Sequence, residues 1–367
     1  MNIEKINDLK KWMEKENIEL AYISQPQSIA YFTGYESDPH ERVLALFIAL
    51  EKDPFLFAPA LEVEAAAKSA WAYDVVGYLD TENPWKVIHQ EIITRYGEPK
   101  NFALEKNALS LDRFELLASY FEQTHFKADI TSVIQNMQLI KTDSEIQGLI
   151  EAGSWADIAF EIGFSTIGPG VTEQEIVAQI EYELKKKGVS KMSFDTMVLT
   201  GSRAADPHGN PGNTIIQENQ FVLFDLGVVW NGYCSDATRT VAYQTPSDFQ
   251  KEIYQIVLEA QLTAQDTVKP GITAGELDAV ARKVIDDAGY GPYFNHRLGH
   301  GIGTSVHEYP SIVAGNDLVL EEGMCFSIEP GIYLPNQVGV RIEDCVYVTK
   351  NGSQSFTKTS KELKIIG

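Results

Sequence analysis

Between residues 221 and 343 the chain puts four carboxylates inside strands that are otherwise apolar. A fold that buries those strands must also neutralise the acids. The run Phe221-Val-Leu-Phe-Asp-Leu-Gly-Val-Val-Trp230 reads as a buried strand from its length and its β-branched and aromatic content. Asn231-Gly232 follows, a strong two-residue hairpin signal, and then a second strand from Tyr233 to about Tyr243. That turn fixes the register: Trp230 faces Tyr233, Gly227 faces Asp236, and Asp225 faces Thr238. Residues two apart share a face, so Asp225 and Asp236 become diagonal neighbours roughly 7–8 Å apart at the backbone.

A second hairpin follows the same logic. Residues 324–334 form one strand, Pro335-Asn-Gln337 the turn, and residues 338–348 the return. This register sets Glu329 nearly opposite Glu343. Like charges directly opposite are destabilising, and a buried carboxylate without a partner is costlier still. Arg341 shares a face with Glu343 but cannot neutralise four acids, whereas metal ions can. Three of the seven histidines fall in residues 296–307, and His300, between Gly299 and Gly301, has the backbone freedom to point into a site. Four carboxylates and one imidazole (Asp225, Asp236, His300, Glu329, Glu343) balance two divalent ions in formal charge. Their oxygen-rich donor set favours a hard metal such as manganese (Mn2+), with cobalt, zinc or iron as alternatives.

An internal repeat supports the pairing of these hairpins. Pro169-Gly-Val-Thr-Glu-Gln-Glu-Ile176 matches Pro270-Gly-Ile-Thr-Ala-Gly-Glu-Leu277, each with a Thr-x-x-Glu capping box, and the helices that follow stop at Gly188 and Gly289. Residues 218–227 match residues 322–331, which makes Asp225 and Glu329 equivalent. A long repeat occurring twice predicts a duplicated α+β half with a site on a pseudo-twofold axis. Upstream, helix patterns at 3–16, 62–71, from Pro84, and from Ser110 to about Gln123 alternate with strand patterns at 19–24, 43–50, 54–58, 74–78 and 101–104. The expected organisation is an α/β domain over 1–128, a linker over 129–142 and the α+β domain over 143–367.

Composition narrows the function classes. A net charge of −22, from 30 basic and 52 acidic residues, with no basic patch, argues against a nucleic-acid partner. The three cysteines sit in apolar strands and read as reduced core residues, with no disulfide framework. No apolar signal region or membrane-length stretch is seen, so the expectation is a cytoplasmic protein without membrane partners. Ser202 has no triad context, and the Gly299–Gly303 run lacks the spacing and lysine of a nucleotide loop.

The motifs Phe224-Asp-Leu-Gly227, Ser235-Asp-Ala-Thr-Arg-Thr240, Gly299-His-Gly-Ile-Gly303, Ile328-Glu-Pro-Gly331 and Val340-Arg-Ile-Glu-Asp344 resemble the pita-bread metallopeptidases. The N-terminal α/β domain, similar to the creatinase/prolidase type, together with Pro207-His-Gly209 and Val306-His-Glu-Tyr-Pro310, resembles the proline-directed branch of that family. The resemblance implies that Asp236 and Glu343 bridge two metals, that Asp225 completes one site, and that His300 and Glu329 complete the other. It implies that Glu329 shuttles a proton to the leaving proline nitrogen, and that His208 and His307 donate hydrogen bonds to substrate or oxyanion. Thr238 and Arg341 would orient the ligands. The implied reaction is hydrolysis of a dipeptide before a C-terminal proline by a homodimer.

The alternatives are an aminopeptidase acting on longer Xaa-Pro peptides, a non-catalytic binding protein, and metal-independent C–N hydrolysis. In one respect the chain departs from the branch. Ser311 stands where many members carry an arginine for the substrate carboxylate. Arg297, with His296 beside it, and Arg42 are the substrate-binding candidates in its place. Arg42 lies in Ser37-Asp-Pro-His-Glu-Arg42, which reads either as a solvated turn or as a loop reaching an active site, its own or a dimer partner's.

Overall fold

The computed structural model describes residues 3–367, which divide into two compact units on either side of the Met137–Gln138 bond. The first is built on a six-stranded sheet in the order Val75–Tyr78, Phe55–Pro59, Ala45–Ala49, Leu20–Ile23, Asn101–Leu104, His125–Asp129. Its central strands are buried on both faces. Leu20 and Tyr22 point into one apolar cluster while Ala21 and Ile23 point into another, the period of two expected of a sheet covered on both sides. The Ile3–Lys15 helix buries Ile6, Leu9 and Met13, the stripe its sequence predicts.

Four details differ from the expected pattern. The helix expected over 62–71 is a 3-10 turn, Ala60–Glu62, followed by Val63–Ala67; it stops where the Ser69 hydroxyl accepts from the Trp71 amide. The helix capped by Ser110 is shorter, Leu111–Ala118. The sixth strand, His125–Asp129, pairs in parallel with Asn101–Leu104, and its polar sequence gave no strand signal. Within 129–142 the chain forms a helix, Thr131–Leu139, and Ile134 packs in the core of the first unit.

The second unit is built from two similar halves. Its nine-stranded sheet follows the order Glu308–Ile312, Gly299–Gly301, Cys325–Ile328, Glu343–Thr349, Ala237–Tyr243, Gln220–Leu226, Met197–Thr200, with two short strands outside this path. The halves meet where Ala237 pairs with Asp344 and Thr238 with Glu343. Both capping boxes form, at Thr172/Glu175 and Thr273/Glu276, and both flanking segments make the same isolated bridge, Thr172 to Ile215 and Thr273 to Val319. Gly188 and Gly289 end the helices at φ of 99° and 86°. Each half has its own apolar core under its helices. Cys234, Cys325 and Cys345 are buried thiols.

The hairpin registers agree with the sequence reading, with Trp230 opposite Tyr233 and Asp225 opposite Thr238. In the second hairpin Ile328 pairs with Asp344 and Gly331 with Arg341, which brings Glu329 across from Glu343. Neither carboxylate strand runs straight, however. The first breaks between Gln220–Leu226 and Val228–Trp230, and its two parts enter different sheets. The second breaks between Cys325–Ile328 and Gly331–Leu334. Gly227 makes the first bend possible, because a Cβ there would lie 1.9 Å from the Ser235 carbonyl oxygen and 2.3 Å from Ser193 Oγ. Both obstacles are held in place, since Ser193 Oγ donates to that same carbonyl at 2.8 Å. Gly227→Ala is therefore expected to destabilise the second unit by about 3 kcal/mol, the upper range for overpacking, measured as a lowered urea midpoint. An unchanged midpoint would mean that the bend tolerates a side chain.

Candidate metal centre and active-site cavity

The two bends turn the carboxylates toward one another. Asp236, His300 and Glu343 are buried, and their ligand atoms lie within 4.8 Å of each other. His300 Nε2 is 3.4 Å from Asp236 Oδ2 and 3.3 Å from Glu329 Oε1. Asp225 Oδ1 is buried and has no hydrogen-bond partner among the described residues. A buried acceptor facing other acids without a donor is what a missing cation leaves behind. The oxygen-rich donor set with one imidazole fits a hard divalent metal. All five residues line one cavity of about 700 Å³ together with His208, His296, Arg297 and His307.

Electrostatics agree with this reading. Burial pushes the Glu329 carboxyl up to about 7, against the nearby His300 and helped by Asp236. Burial raises Asp236 and, well above the carboxylate range, Glu343, where the neighbouring acids add to it. His300 moves upward: burial opposes its charge, but Asp236 and Glu329 outweigh that. Each group is shifted toward whichever protonation state reduces the negative charge of the cluster.

The residues around the acids form a connected frame. Thr238 Oγ1 donates to Glu343 Oε2 at 2.7 Å and accepts from Arg341 Nε at 3.1 Å. Arg341 also pairs with Asp225 through Nη2 and donates from Nη1 to the Tyr333 hydroxyl at 2.9 Å. Ser327 Oγ accepts from the His300 amide at 3.0 Å and donates to Glu329 Oε1 at 3.1 Å. Behind the acids, fully buried Arg239 donates to the Glu343 carbonyl and pairs with Asp344 at 2.6 Å. Tyr333, Ser327 and Arg239 were missed by sequence reasoning. Ser327 could have been found from its place two residues before Glu329, on the same face.

His296 is fixed in one state. Burial lowers the pKa of His296 to about 4, so near neutral pH the Tyr333 hydroxyl, which accepts from Arg341, gives its own proton to His296 Nε2 at 2.9 Å. His296 Nδ1 lies 2.7 Å from the Arg297 carbonyl oxygen and must carry the proton of that bond. The ring is thus neutral. Both of its nitrogens are occupied, and its hydrogen bond holds the backbone of Arg297. The Arg297 guanidinium in turn donates to Ser311 Oγ at 2.8 Å. His307 opens to the cavity with its ring edge-to-face against His300 at 4.1 Å, and partial burial with the neighbouring charges lowers its pKa. The His208 amide donates to Asp206. Arg42 belongs to the first unit, where its guanidinium makes a bidentate pair with Asp80 at 2.9 and 3.0 Å.

Titration gives a test with a definite sign. In metal-stripped protein Glu329 keeps its proton up to about 7 when folded, but releases it near 4.5 when unfolded. Between those values the folded state binds more protons at this site, so its contribution to stability falls as pH rises and levels off above the folded value. His296, lowered to about 4, works in the opposite direction below its unfolded value. Comparing wild type with Glu329→Gln, both stripped, isolates the carboxylate. The variant's advantage in melting temperature is expected to grow from about pH 4.5 to about pH 7 and then stay constant. An advantage that shrinks over that window would contradict the assignment.

Comparison with known proteins agrees with this geometry. Residues 147–350 match metallopeptidase family M24, and residues 5–140 match the creatinase/prolidase N-terminal domain. The chain is 54% identical to a Xaa-Pro dipeptidase of Lactobacillus helveticus, over 100% of this chain and 99% of that protein. It is 53% identical to one from Lactobacillus delbrueckii subsp. lactis, with the same coverage. Among solved structures, a prolidase from Thermococcus sibiricus superposes with a TM-score of 0.93 at 34% identity, covering 100% of both chains. A Xaa-Pro dipeptidase from Bacillus anthracis does so with 0.91 at 36% identity, covering 99% of both. With its carboxylate hairpins, its histidine and its duplicated α+β unit, the chain belongs to metallopeptidase family M24 and carries that family's pita-bread fold behind a creatinase-type N-terminal domain.

Proposed function

We propose that the chain is a Xaa-Pro dipeptidase, a dinuclear-metal hydrolase that cleaves the bond before a C-terminal proline. The observation that carries this reading is the gathering of Asp225, Asp236, His300, Glu329 and Glu343 at one cavity that also receives Arg297. Asp236 and Glu343 are proposed to bridge two divalent ions, manganese by preference, with Asp225 completing one site and His300 and Glu329 the other. Bound there, the ions would supply an activated water and polarise the scissile carbonyl.

The chain's own residues do the rest. Glu329 is the residue proposed to shuttle a proton to the proline nitrogen. That nitrogen belongs to a tertiary amide and cannot leave without gaining a proton. His208 and His307 face the same cavity and donate to the substrate or its oxyanion. Arg297 takes the free carboxylate of the dipeptide, steered by Ser311 and by the His296 bond to its backbone. In this reading His296 acts on the substrate through Arg297. Arg42, already paired with Asp80, is the weaker candidate for that carboxylate. Among the described residues no helix is long and apolar enough to cross a membrane. The proposal extends to a cytoplasmic homodimer with no nucleic-acid or membrane partner.

The direct test is hydrolysis of Leu-Pro and Leu-Pro-Pro by chelator-stripped protein, with and without added manganese. Metal-restored cleavage of Leu-Pro is expected. Cleavage of the tripeptide alone would reassign the chain to aminopeptidase chemistry. Arg297→Ala is expected to raise KM for Leu-Pro by about 10- to 100-fold, the range for losing a hydrogen bond to a charged group, with a smaller effect on kcat. A KM unchanged in Arg297→Ala would rule this arginine out.

A further inference from the structure

The turn that delivers His307 to the cavity is clasped by a buried ion pair that the proposed chemistry does not use. Glu308, next to His307, has a side chain 7% exposed, and it pairs with Lys141 Nζ, 5% exposed, at 3.0 Å. Its other oxygen accepts from the Ser305 amide at 2.9 Å and from Thr304 Oγ1 at 3.3 Å. Gly303 admits this packing, since a Cβ there would lie 2.4 Å from the Glu308 carboxylate. The Cys234 amide also holds this turn, donating to the Gly303 carbonyl at 2.9 Å. Lys141 is itself anchored: its amide donates to the Gly323 carbonyl at 2.9 Å, and Ile140 bridges to Met324 beside it.

His307 depends on this clasp. Among the described residues no hydrogen bond holds its ring, which touches His300 edge-to-face. The direction of the ring is therefore set by the backbone of residues 303–308. A buried ion pair is a poor source of net stability, because the desolvation of both charges offsets their attraction, and its better-attested use is to fix one arrangement over others. Here the carboxylate meets a lysine, a backbone amide and a hydroxyl, so a displaced turn would leave a buried charge unpaired.

We propose that Lys141 and Glu308 are positioning residues that set the His307 ring for its contact with the reacting group. This rests on His307 acting on the bound substrate, as proposed above. Neither residue needs to touch the substrate. Their influence passes through the turn, where a displacement of about 1 Å is enough to cost on the order of a hundredfold in rate.

The experiment measures kcat and KM for Leu-Pro on metal-loaded Glu308→Gln, Lys141→Met and Lys141→Arg, and on Glu308→Gln combined with His307→Ala. Glu308→Gln and Lys141→Met are expected to lower kcat by about 10- to 100-fold with little change in KM or bound metal, and Lys141→Arg to recover most of the loss. In the His307→Ala background Glu308→Gln should cost nothing more, because two residues acting through one ring are not additive. A kcat kept within about twofold in both single variants, or losses that multiply in the double variant, would overturn the proposal. A His307→Ala variant with unchanged kcat would overturn it too, by removing the role of His307 itself. If a single variant fails to fold, Lys141→Met/Glu308→Gln, which leaves no lone buried charge, gives the same readout.

Discussion

Keeping Asp225, Asp236, Glu329 and Glu343 together and away from water is the constraint to which the second unit is fitted. An ionised carboxylate taken out of water costs several kcal/mol even after relaxation, and a folded domain has only about 5–15 kcal/mol of net stability to set against it. Four such groups cannot be carried by packing alone. Arg341 supplies one positive charge to Asp225, and His300 is drawn toward its charged form by Asp236 and Glu329. What remains is the orphaned Asp225 Oδ1 and three carboxyls held above their ordinary range. Divalent cations held among these groups would resolve all of them together.

The duplication explains how one sheet brings the acids together. Each half contributes a hairpin that bends just after its first carboxylate, at Gly227 in one and at Glu329-Pro330 in the other, and the halves join through Thr238 and Glu343. Each bend falls within two residues of its acid, and the equivalent acids Asp225 and Glu329 line one cavity. Function then divides between the halves. The second half supplies His300, His296, Arg297 and His307, and the first half supplies His208. The Tyr333–Arg341–Thr238 chain of hydrogen bonds ties Asp225 and Glu343 into one frame, while Asp236 and Glu329 sit at the breaks between strands.

Much of this was legible in the chain because it follows from short-range rules. A period of two and an Asn-Gly turn are enough to set Asp225 opposite Thr238, and a Thr-x-x-Glu box is enough to start each repeated helix. The bend at Gly227 was not legible, because it depends on the Ser235 carbonyl and Ser193 Oγ, which arrive from elsewhere in the chain. Tyr333 was hidden because a tyrosine in an apolar strand reads as core; its meaning comes from Arg341 and His296 on either side of its hydroxyl. Arg239 was hidden for the opposite reason, since an arginine reads as surface until Asp344 and the Glu343 carbonyl are seen to enclose it. The locked tautomer of His296 likewise needs three partners from separate segments.

These hairpins are proposed to hold two cations per chain. Calorimetric titration of the stripped protein with manganese reads the number of bound ions per chain. Two are expected for the wild type, one for Asp225→Asn, and none for Asp236→Asn, because that residue would be shared. A wild-type count of one or none, or an Asp236→Asn protein that still binds two, would contradict the two-cation site.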